Sequence, residues 1–503
     1  MSLDLASYPD LLVALLPELV LTVGGLALVL LVAARHRSAD DLRAAGGLAF
    51  ATLVLGLAAT WWLWWRRATP VGAPAMIALD DYRLAATALF LGTAALTVLL
   101  SQGYLEREGL LAPEFYPLLV FATLGMMLMA AGDDLMVIFL GLELMSICVY
   151  VLTGIDRGSA KAAEAAFKYF LIGAFASAFL LYGIALTYGA SATTNLTLLG
   201  TQVRILGLGH SPMLLLGLGL LLIGFGFKVA AVPFHMWAPD VYDGAPTPVT
   251  AFMAAGVKAA AFVALVRILV EGFAGVATWH GILWWLAVLT MLGGNLIALA
   301  QRTVKRMLAY SSVAHAGYLL AAVATGTPLG SAAVLFYLLA YVLATLAVFA
   351  LLAAKGRHGE QDVRIDDLAG LSTRHPALAL ALAICMLSLL GFPGTAGFMG
   401  KWYILVAATG AGQWALAAVL AIATAISAGY YLPVIMAMYM KPEPSPDTHA
   451  GMRLGTVPAA VVVAAIVGVL VLGVVPGGAL DVARTSGSSL GAPQTPILPS
   501  VGR

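Results

Sequence analysis

The sequence predicts an all-α, polytopic membrane protein, and two observations support this fold class. Hydrophobic residues make up 62% of the 503 residues and charged residues only 10%, whereas soluble domains carry about 25% charged residues. Apolar runs of roughly 20 residues, the length that crosses a bilayer as a helix, recur along the chain. The net charge of +1 gives no indication of a nucleic-acid partner. The two cysteines, Cys148 and Cys385, lie in separate apolar runs, and we expect buried thiols without a metal.

We expect fourteen transmembrane helices from these apolar runs. They lie near residues 9–34, 43–65, 80–101, 113–131, 134–153, 160–189, 210–232, 247–271, 277–300, 304–325, 329–353, 376–409, 412–440 and 455–478. The first run has no basic segment before it, so we interpret it as an uncleaved span and not as a signal peptide. The sequence after Gly477 is rich in Ser, Gly and Pro, and residues 481–503 are expected to form a flexible tail.

The basic residues between the spans predict the orientation of the protein. Loops that follow odd-numbered spans hold fifteen lysines and arginines, and the opposite side, both termini included, holds six. Because positively charged loops stay on the cytoplasmic side, both termini are expected on the outer, periplasmic face. The other five basic residues lie inside predicted spans: Lys168, Lys228, Lys258, Arg267 and Lys401.

Two of the predicted spans are interrupted by glycine and proline. One break is GFGFKVAAVPFHMWAPDVYDGAPTPV, which starts at Gly224 in span seven, and the other is SLLGFPGTAGFMGKW in span twelve. Proline removes a backbone donor and clashes with the preceding turn. Broken helices at corresponding positions of two halves indicate an inverted-repeat transport pathway. We therefore expect helices 1–3 in residues 1–112, inverted five-helix repeats in 113–271 and 272–440, and helix 14 in 441–480.

Buried lysines are the first candidates for chemistry. Four of the eight lysines lie in predicted spans, although the chain has eighteen arginines. A charge at the centre of a membrane helix costs about 2.5–3.5 kcal/mol on insertion scales. Lysine, unlike arginine, changes its protonation state readily when it is buried. Lys228, Lys258 and Lys401 are therefore candidate proton carriers, and snorkelling of Lys228 and Lys258 to the membrane surface is the alternative.

Other ionisable residues also lie in predicted spans. Glu143, in MVIFLGLELMSICVYVL, is about 12 Å into span five at 1.5 Å per residue. It either faces a movable proton carrier or forms a structural ion pair between helices. His315, in KRMLAYSSVAHAGYLL, is able to accept and donate as a neutral imidazole, so a relay and a structural role are both open. Lys168 and Glu164 are four residues apart and are expected to form an intrahelical pair.

Five segments resemble a known family. They are LGLELMSICVYVL, EAAFKYFLIGAFASAFLLYGIAL, FKVAAVPFHMWAPDVYDGAPTPVTAFMAAGVKAA, KRMLAYSSVAHAGYLL and GFPGTAGFMGKWYIL. They resemble the antiporter-like subunits of bacterial proton-pumping NADH:quinone oxidoreductase (respiratory complex I). The resemblance covers roughly residues 110–440, and EAAFKYFLIGAFASAF is similar to the subunit N branch in particular.

The resemblance implies a proton-translocating subunit that has no redox centre of its own. Glu143 and Lys228 match the family's ion pair, and Lys258 and Lys401 match its other buried lysines. The resemblance also implies that the chain itself holds no cofactor, and that NAD, FMN, iron–sulfur clusters and quinone belong to partner subunits. The implied partners are the other membrane-arm subunits of complex I and the lipid of the bacterial inner (plasma) membrane.

Three functions follow as hypotheses. In the first, protons enter from the cytoplasmic side, reach Lys228, pass Lys258 and His315, and leave from Lys401; the direction is implied by the resemblance. In the second, the chain is a subunit of a multi-subunit cation/proton antiporter, a group that shares the VPFHMWAPDVYDGAPTPV pattern. In the third, the chain is a passive scaffold between neighbouring membrane subunits.

Overall fold

The computed structural model describes residues 2–34, 38–66, 69–71, 75–355, 363–443, 452 and 454–490, and it confirms the all-α prediction. The α-helices are α1 (Tyr8–Ala14), α2 (Leu16–Ala33), α3 (Ala39–Trp65), α4 (Asp81–Arg107), α5 (Phe115–Ala131), α6 (Leu135–Thr153), α7 (Ala160–Ser191), α8 (Leu196–Ile205), α9 (Pro212–Val229), α10 (Ala238–Gly244), α11 (Thr247–Phe252), α12 (Lys258–Arg267), α13 (Thr278–Ala298), α14 (Val304–Ala324), α15 (Pro328–Lys355), α16 (Leu371–Arg374), α17 (Pro376–Leu390), α18 (Ala396–Gly410), α19 (Trp414–Met440), α20 (Thr456–Val474) and α21 (Gly477–Ser489). Two short strands, β1 (Ser2–Asp4) and β2 (Thr69–Val71), form a parallel pair in which Leu3 lies opposite Pro70.

Twelve stretches of helix in the described residues are long and apolar enough to cross a membrane. One of them, Thr247–Gly272, joins α11 and α12 through π-helical turns, and α5 and α17 are shorter apolar helices. Every predicted span corresponds to at least one of these helices. The number fourteen and the inverted symmetry of the two units remain predictions.

Both predicted interruptions are breaks in the helices. Helix α9 ends at Val229, where Ala230 takes a left-handed conformation (φ 58°), and the short α10 follows at Ala238. Helix α17 ends at Leu390 with Gly391 at φ 89°, and α18 begins at Ala396. A left-handed residue is a common way to end a helix. Span twelve is therefore two helical pieces, whereas span seven is α9 alone and α10 follows it. Backbone groups at each break become available to polar side chains.

Two features of the fold differ from the sequence prediction. Residues 481–489, expected to begin the flexible tail, belong to α21, whose Gly487 packs so closely on α15 that an added Cβ would lie 2.7 Å from the Pro328 carbonyl oxygen. The prediction of a flexible segment is therefore wrong up to Ser489. The rest of the predicted tail, from residue 491, lies outside the described residues. The short helix α8 was also not expected, because its ten residues are too few for a span.

Long buried helices form the interior of the bundle. The apolar window of Thr247–Gly272 is wholly buried, and that of α15 is 89% buried. Helix α15 packs against α11, α14, α17, α18 and α20, and it therefore separates the interior from several lipid-exposed helices. Exposed large apolar side chains, such as Phe175 and Val463, lie on the outer helices α7 and α20. This arrangement keeps lipid away from the interior, where the polar residues of the next section lie.

Candidate functional site

Lys228 lies in the last turn of α9 and is 3% exposed. Its Nζ donates to Ser146 Oγ at 2.6 Å and to the Tyr150 hydroxyl at 3.2 Å, both on α6. The ring of Tyr150 also faces the amine, with 5.3 Å between Nζ and the ring centroid. Snorkelling to the membrane surface, the alternative weighed from the sequence, therefore does not occur for this lysine.

Glu143 lies on α6 but does not form the expected ion pair with Lys228. No carboxylate oxygen of the described residues lies within ion-pair distance of the Lys228 amine. The Glu143 carboxylate instead accepts a hydrogen bond from the Ser177 hydroxyl on α7. Ser146, three residues after Glu143 and on the same helix face, occupies the position next to the amine. The direct contact was wrong, although both residues lie in one region between α6, α7 and α9.

Lys258 follows the π-helical turn Met253–Val257 directly and is 2% exposed. Single π-turns are often found at functional sites. The extra residue in this turn rotates Lys258 away from the helix face on which regular α-helical spacing would place it. The amine donates to both the backbone carbonyl and the hydroxyl of Ser312 on α14. Tyr242 and Tyr341 both reach the same Ser312 hydroxyl. The Tyr341 ring also faces the amine, at 5.9 Å from its centroid.

His315 lies one turn beyond Ser312 on α14, and each of its ring nitrogens has a hydroxyl partner. Nδ1 lies 2.6 Å from the Tyr337 hydroxyl, and Nε2 lies 3.0 Å from the Tyr431 hydroxyl. The Tyr431 hydroxyl in turn contacts the Ser311 hydroxyl. Because one nitrogen of a neutral imidazole donates and the other accepts, the ring joins two hydroxyl groups on different helices.

Lys401 lies on α18 and is 4% exposed. Its Nζ donates to the carbonyl oxygens of Leu389, at 3.2 Å, and Leu390, at 2.8 Å. These carbonyls belong to the open C-terminal end of α17, where the helix dipole is negative. The Tyr318 ring also faces the amine, 4.6 Å from its centroid. The second break thus supplies the polar partners of Lys401.

Aromatic rings connect these residues on either side of His315. The imidazole centroid lies 4.8 Å from that of Tyr341, which faces Lys258, and 5.5 Å from that of Tyr318, which faces Lys401. A small cavity of about 10 Å³ is lined by His315, Tyr337, Tyr341 and Ser388, among others. This is about the room that one water molecule needs.

The structure brings the predicted residues together in two groups. Lys258, His315 and Lys401 share neighbouring tyrosines and form one interior region. Glu143 and Lys228 form a second region, which shares no hydrogen-bond partner with the first in the described residues. Lys168 pairs with Glu164 at 2.7 Å, as the spacing predicted, and it also reaches Asp240.

The hydroxyl groups that contact the predicted residues were not identified from the sequence. They are Ser146, Tyr150, Ser177, Ser312, Tyr337 and Tyr431. A signal was present, since the pair Ser311–Ser312 interrupts an otherwise apolar run four residues before His315. Serine and tyrosine are common enough in membrane helices that residue type alone did not identify them. Both cysteines are buried and free.

The chain is similar to known membrane proteins over most of its length. Residues 132–427 match the transmembrane family described as NADH:quinone oxidoreductase/Mrp antiporter. The NADH-quinone oxidoreductase subunit N of Trichlorobacter lovleyi is 45% identical over 476 residues, which are 93% of this chain and 96% of that protein. A chain of respiratory complex I from Thermus thermophilus is 39% identical, with a TM-score of 0.79 over 93% of this chain and 99% of that chain. A chain of the Mrp complex from Dietzia sp. is 24% identical with a TM-score of 0.82 over 95% and 97% of the two chains, which shows a common fold. The chain therefore belongs to the subunit N family of the NADH:quinone oxidoreductases, within the antiporter-like membrane proteins.

Proposed function

We propose that this chain carries protons across the membrane through Lys228, Lys258, His315 and Lys401, with Glu143 as an acidic neighbour of the path. The chain acts as a membrane-arm subunit of a proton-pumping NADH:quinone oxidoreductase. Redox chemistry in partner subunits drives the transfer. Moving one charge against 100 mV requires about 2.3 kcal/mol, which a chain without a redox centre has to receive from its partners.

One observation carries this proposal. The amines of Lys228, Lys258 and Lys401 are almost fully buried, and their partners in the described part of the chain are hydroxyls, carbonyls and aromatic faces rather than carboxylates. Burying a charge without a counter-charge is costly. A structural lysine would be expected to have a carboxylate partner, as Lys168 has. An amine that exists both neutral and charged is what a proton carrier requires.

The route between the lysines passes through His315. A proton on the Lys258 amine has Ser312, and then the hydroxyl and imidazole groups of Ser311, Tyr431 and His315, on the way towards Lys401. Neutral imidazole accepts at one nitrogen and releases at the other, so it suits a relay role. The direction, from Lys228 towards Lys401, follows the family.

Glu143 acts on Lys228 through space in this proposal. The carboxylate and the amine belong to the same region but do not touch, so their attraction favours the charged amine without fixing it in a hydrogen bond. A change in the position of α6 relative to α9 alters that attraction and so alters how readily Lys228 gives up its proton.

The surroundings follow from the same family. NAD, FMN, iron–sulfur clusters and quinone are held by partner subunits, and other membrane-arm subunits and lipid cover the exposed helices. The protein lies in the inner (plasma) membrane of a bacterium, with both termini on the periplasmic face. Access of a membrane-impermeant protease to a tag at either terminus, in right-side-out and inside-out vesicles, tests this orientation.

The test is proton pumping by the intact complex in proteoliposomes. Lys258→Met and Lys401→Met are each expected to lower the number of protons pumped per NADH oxidised, while the amount of assembled complex stays the same. Lys441→Met, at an exposed lysine paired with Asp366, is the control. Unchanged pumping per assembled complex in both buried-lysine variants would favour the scaffold hypothesis. Purification without flavin and iron–sulfur subunits would favour the cation/proton antiporter.

A further inference from the structure

Helix α10, in the first break, carries an aspartate that is buried and incompletely paired. Asp243 is 7% exposed, and its Oδ1 has no hydrogen-bond partner within the described part of the chain. Its Oδ2 lies 3.1 Å from the Lys161 amine on α7 and 3.8 Å from the Arg306 guanidinium on α14. A buried carboxylate oxygen without a donor is costly, and a native protein that retains one often uses it.

Two cavities meet at this aspartate. One, of about 150 Å³, is lined by Glu108 and Asp156 as well as Lys161 and Asp243. The other, of about 170 Å³, is lined by a set of charged residues: Lys161, Glu164, Lys168, Asp240, Asp243 and Arg306. Both are far larger than the ~10–15 Å³ that one water molecule needs. Their polar linings favour water, so the buried Asp243 side chain borders hydrated space on two sides.

The next residue inward faces the Lys258 region. Tyr242 precedes Asp243 on α10, is 2% exposed, and lies near the Ser312 hydroxyl that accepts from Lys258. The short helix therefore has a buried carboxylate that lines both cavities and, at the neighbouring position, a phenol near the proton path. Neither side of this arrangement involves Lys228.

The other carboxylate of α10 differs in its surroundings. Asp240 Oδ1 accepts from Arg306 at 3.0 Å, and its Oδ2 accepts from Lys168 at 3.1 Å. Burial raises the pKa of the Asp240 carboxyl, but its hydrogen bonds to Lys168 and Arg306 outweigh burial and hold that pKa below its ordinary value. Asp240 thus has a hydrogen-bond donor at each carboxylate oxygen, and it is the natural comparison for Asp243.

We propose that Asp243 is a proton-uptake group that feeds Lys258 directly from the water of these two cavities, as a second intake beside Lys228. Hydronium in the cavity water transfers a proton to the Asp243 carboxylate, which becomes a carboxylic acid, and a water molecule is left behind. When the proton moves on past Tyr242 and Ser312, Asp243 becomes a carboxylate again and the neutral Lys258 amine becomes an ammonium. This inference rests on the proposed function, because it needs Lys258 to carry protons.

The experiment compares variants of the intact complex in proteoliposomes, as protons pumped per NADH oxidised and normalised to assembled complex. Asp243→Asn is expected to lose part of the pumping that Lys258→Met loses, because a positioned proton-transferring side chain typically accelerates transfer about 10²–10⁴-fold while Lys228 continues to supply Lys258. Tyr242→Phe, which removes only the hydroxyl, is expected to slow pumping in the same direction. Asp240→Asn is expected to keep the ratio of the unaltered complex.

The conservative variant Asp243→Glu adds a second measurement, the pH profile of pumping, which would not change if Asp243 were only structural. Asp243→Glu keeps an acid at the same place and is expected to restore the pumping ratio, with a pH profile displaced from that of the unaltered complex. This variant also serves if Asp243→Asn does not assemble. An Asp243→Glu complex with an unchanged pH profile would overturn the inference.

The remaining outcomes separate this inference from the proposed function. If Lys258→Met lowers the ratio and Asp243→Asn does not, the uptake role is wrong and the proposed function stands. If Lys258→Met leaves the ratio unchanged, the proposed function itself fails. An equal loss in Asp240→Asn and Asp243→Asn would assign the effect to the charge balance of the cluster, which overturns a specific role for Asp243.

Discussion

The Nζ atom of Lys228 lies 2.6 Å from Ser146 Oγ, and this contact joins the broken end of α9 to the middle of α6. The Ser146 hydroxyl donates to the carbonyl of Leu142, so it presents a lone pair to the amine. By rotating away from that carbonyl, the same hydroxyl is able to donate to a neutral amine. A carboxylate in its place would stabilise only the charged form. The serine contact is therefore compatible with both protonation states of Lys228.

Lys228 is expected to tolerate neither methionine nor arginine. Lys228→Met removes the protonatable group, and Lys228→Arg keeps a charge that cannot be released in a protein. Both are expected to lower the number of protons pumped per NADH oxidised, measured with a pH-sensitive dye in proteoliposomes. A pumping ratio in Lys228→Arg equal to that of the unaltered complex would contradict a carrier role and favour a structural charge.

Ser146→Ala is expected to have a smaller effect than Lys228→Met. It removes the hydrogen bond between the Ser146 hydroxyl and the charged Lys228 amine, and hydrogen bonds to charged groups contribute about 1.5–3 kcal/mol. The Tyr150 hydroxyl, at 3.2 Å from the amine, remains. Slower pumping with an intact assembly, rather than loss of the complex, is the expected result. Thr201→Ala on α8, whose hydroxyl bonds only its own helix, is the matched control.

Sequence reasoning predicted which residues are buried and charged better than it predicted their contacts. Lys228, Lys258 and Lys401 were identified because an ionisable residue in an apolar run is rare enough to be informative. The Glu143–Lys228 contact, which the family resemblance implied, was wrong, because a match of residue types does not fix the separation between helices. The π-helical turn before Lys258 was not predictable, since Met253–Val257 has the composition of an ordinary helix.

The breaks in the helices were predictable because glycine and proline act locally. Their consequence for Lys401 was not, because it depends on the direction of the Leu389 and Leu390 carbonyls across the break. In the same way, the compositional reading of the C-terminal segment failed for α21. Its order comes from packing on α15, where Gly487 allows close approach, and not from the propensity of its own residues.

The Tyr431 hydroxyl is expected to be needed for transfer past His315. Tyr431→Phe keeps the ring but removes the only hydroxyl that contacts both Ser311 and His315 in the described residues. Slower pumping, with a larger solvent isotope effect when the reaction is run in D₂O, is the expected result. Tyr430→Phe is the control, because the hydroxyl of Tyr430 bonds Asn295 instead. Equal rates for the two variants would assign His315 a structural role.

Gly391→Ala is expected to impair Lys401 specifically. Gly391 has φ 89°, so any side chain there is strained by about 1–2 kcal/mol, and an added Cβ would lie 2.9 Å from Lys401 Cδ. Gly394→Ala provides the matched control, since Gly394 has φ 86° and its Cβ would meet nothing within 4 Å. Both variants are expected to lose similar thermal stability, and only Gly391→Ala is expected to lose pumping. A similar loss of pumping in both would trace the effect to backbone strain.

Arg267 is expected to be structural, unlike the buried lysines. Its guanidinium is 0% exposed and lies 2.8 Å from Asp80 Oδ2 and 3.0 Å from Glu271 Oε1, so it joins the start of α4 to the end of the buried helix that contains Lys258. Arg267→Met leaves two carboxylates largely buried without their cation, and breaking such a pair typically costs about 3–5 kcal/mol. The expected result is a large fall in the thermal unfolding temperature or in the yield of assembled complex, with normal pumping per complex that does assemble.

Arg43→Met, at a 63% exposed arginine paired with Glu106, is the control and is expected to change stability little. Adding Asp80→Asn to Arg267→Met should restore part of the lost stability, because it removes one of the unpaired charges. Reduced pumping in correctly assembled Arg267→Met complex would instead place Arg267 in the proton path.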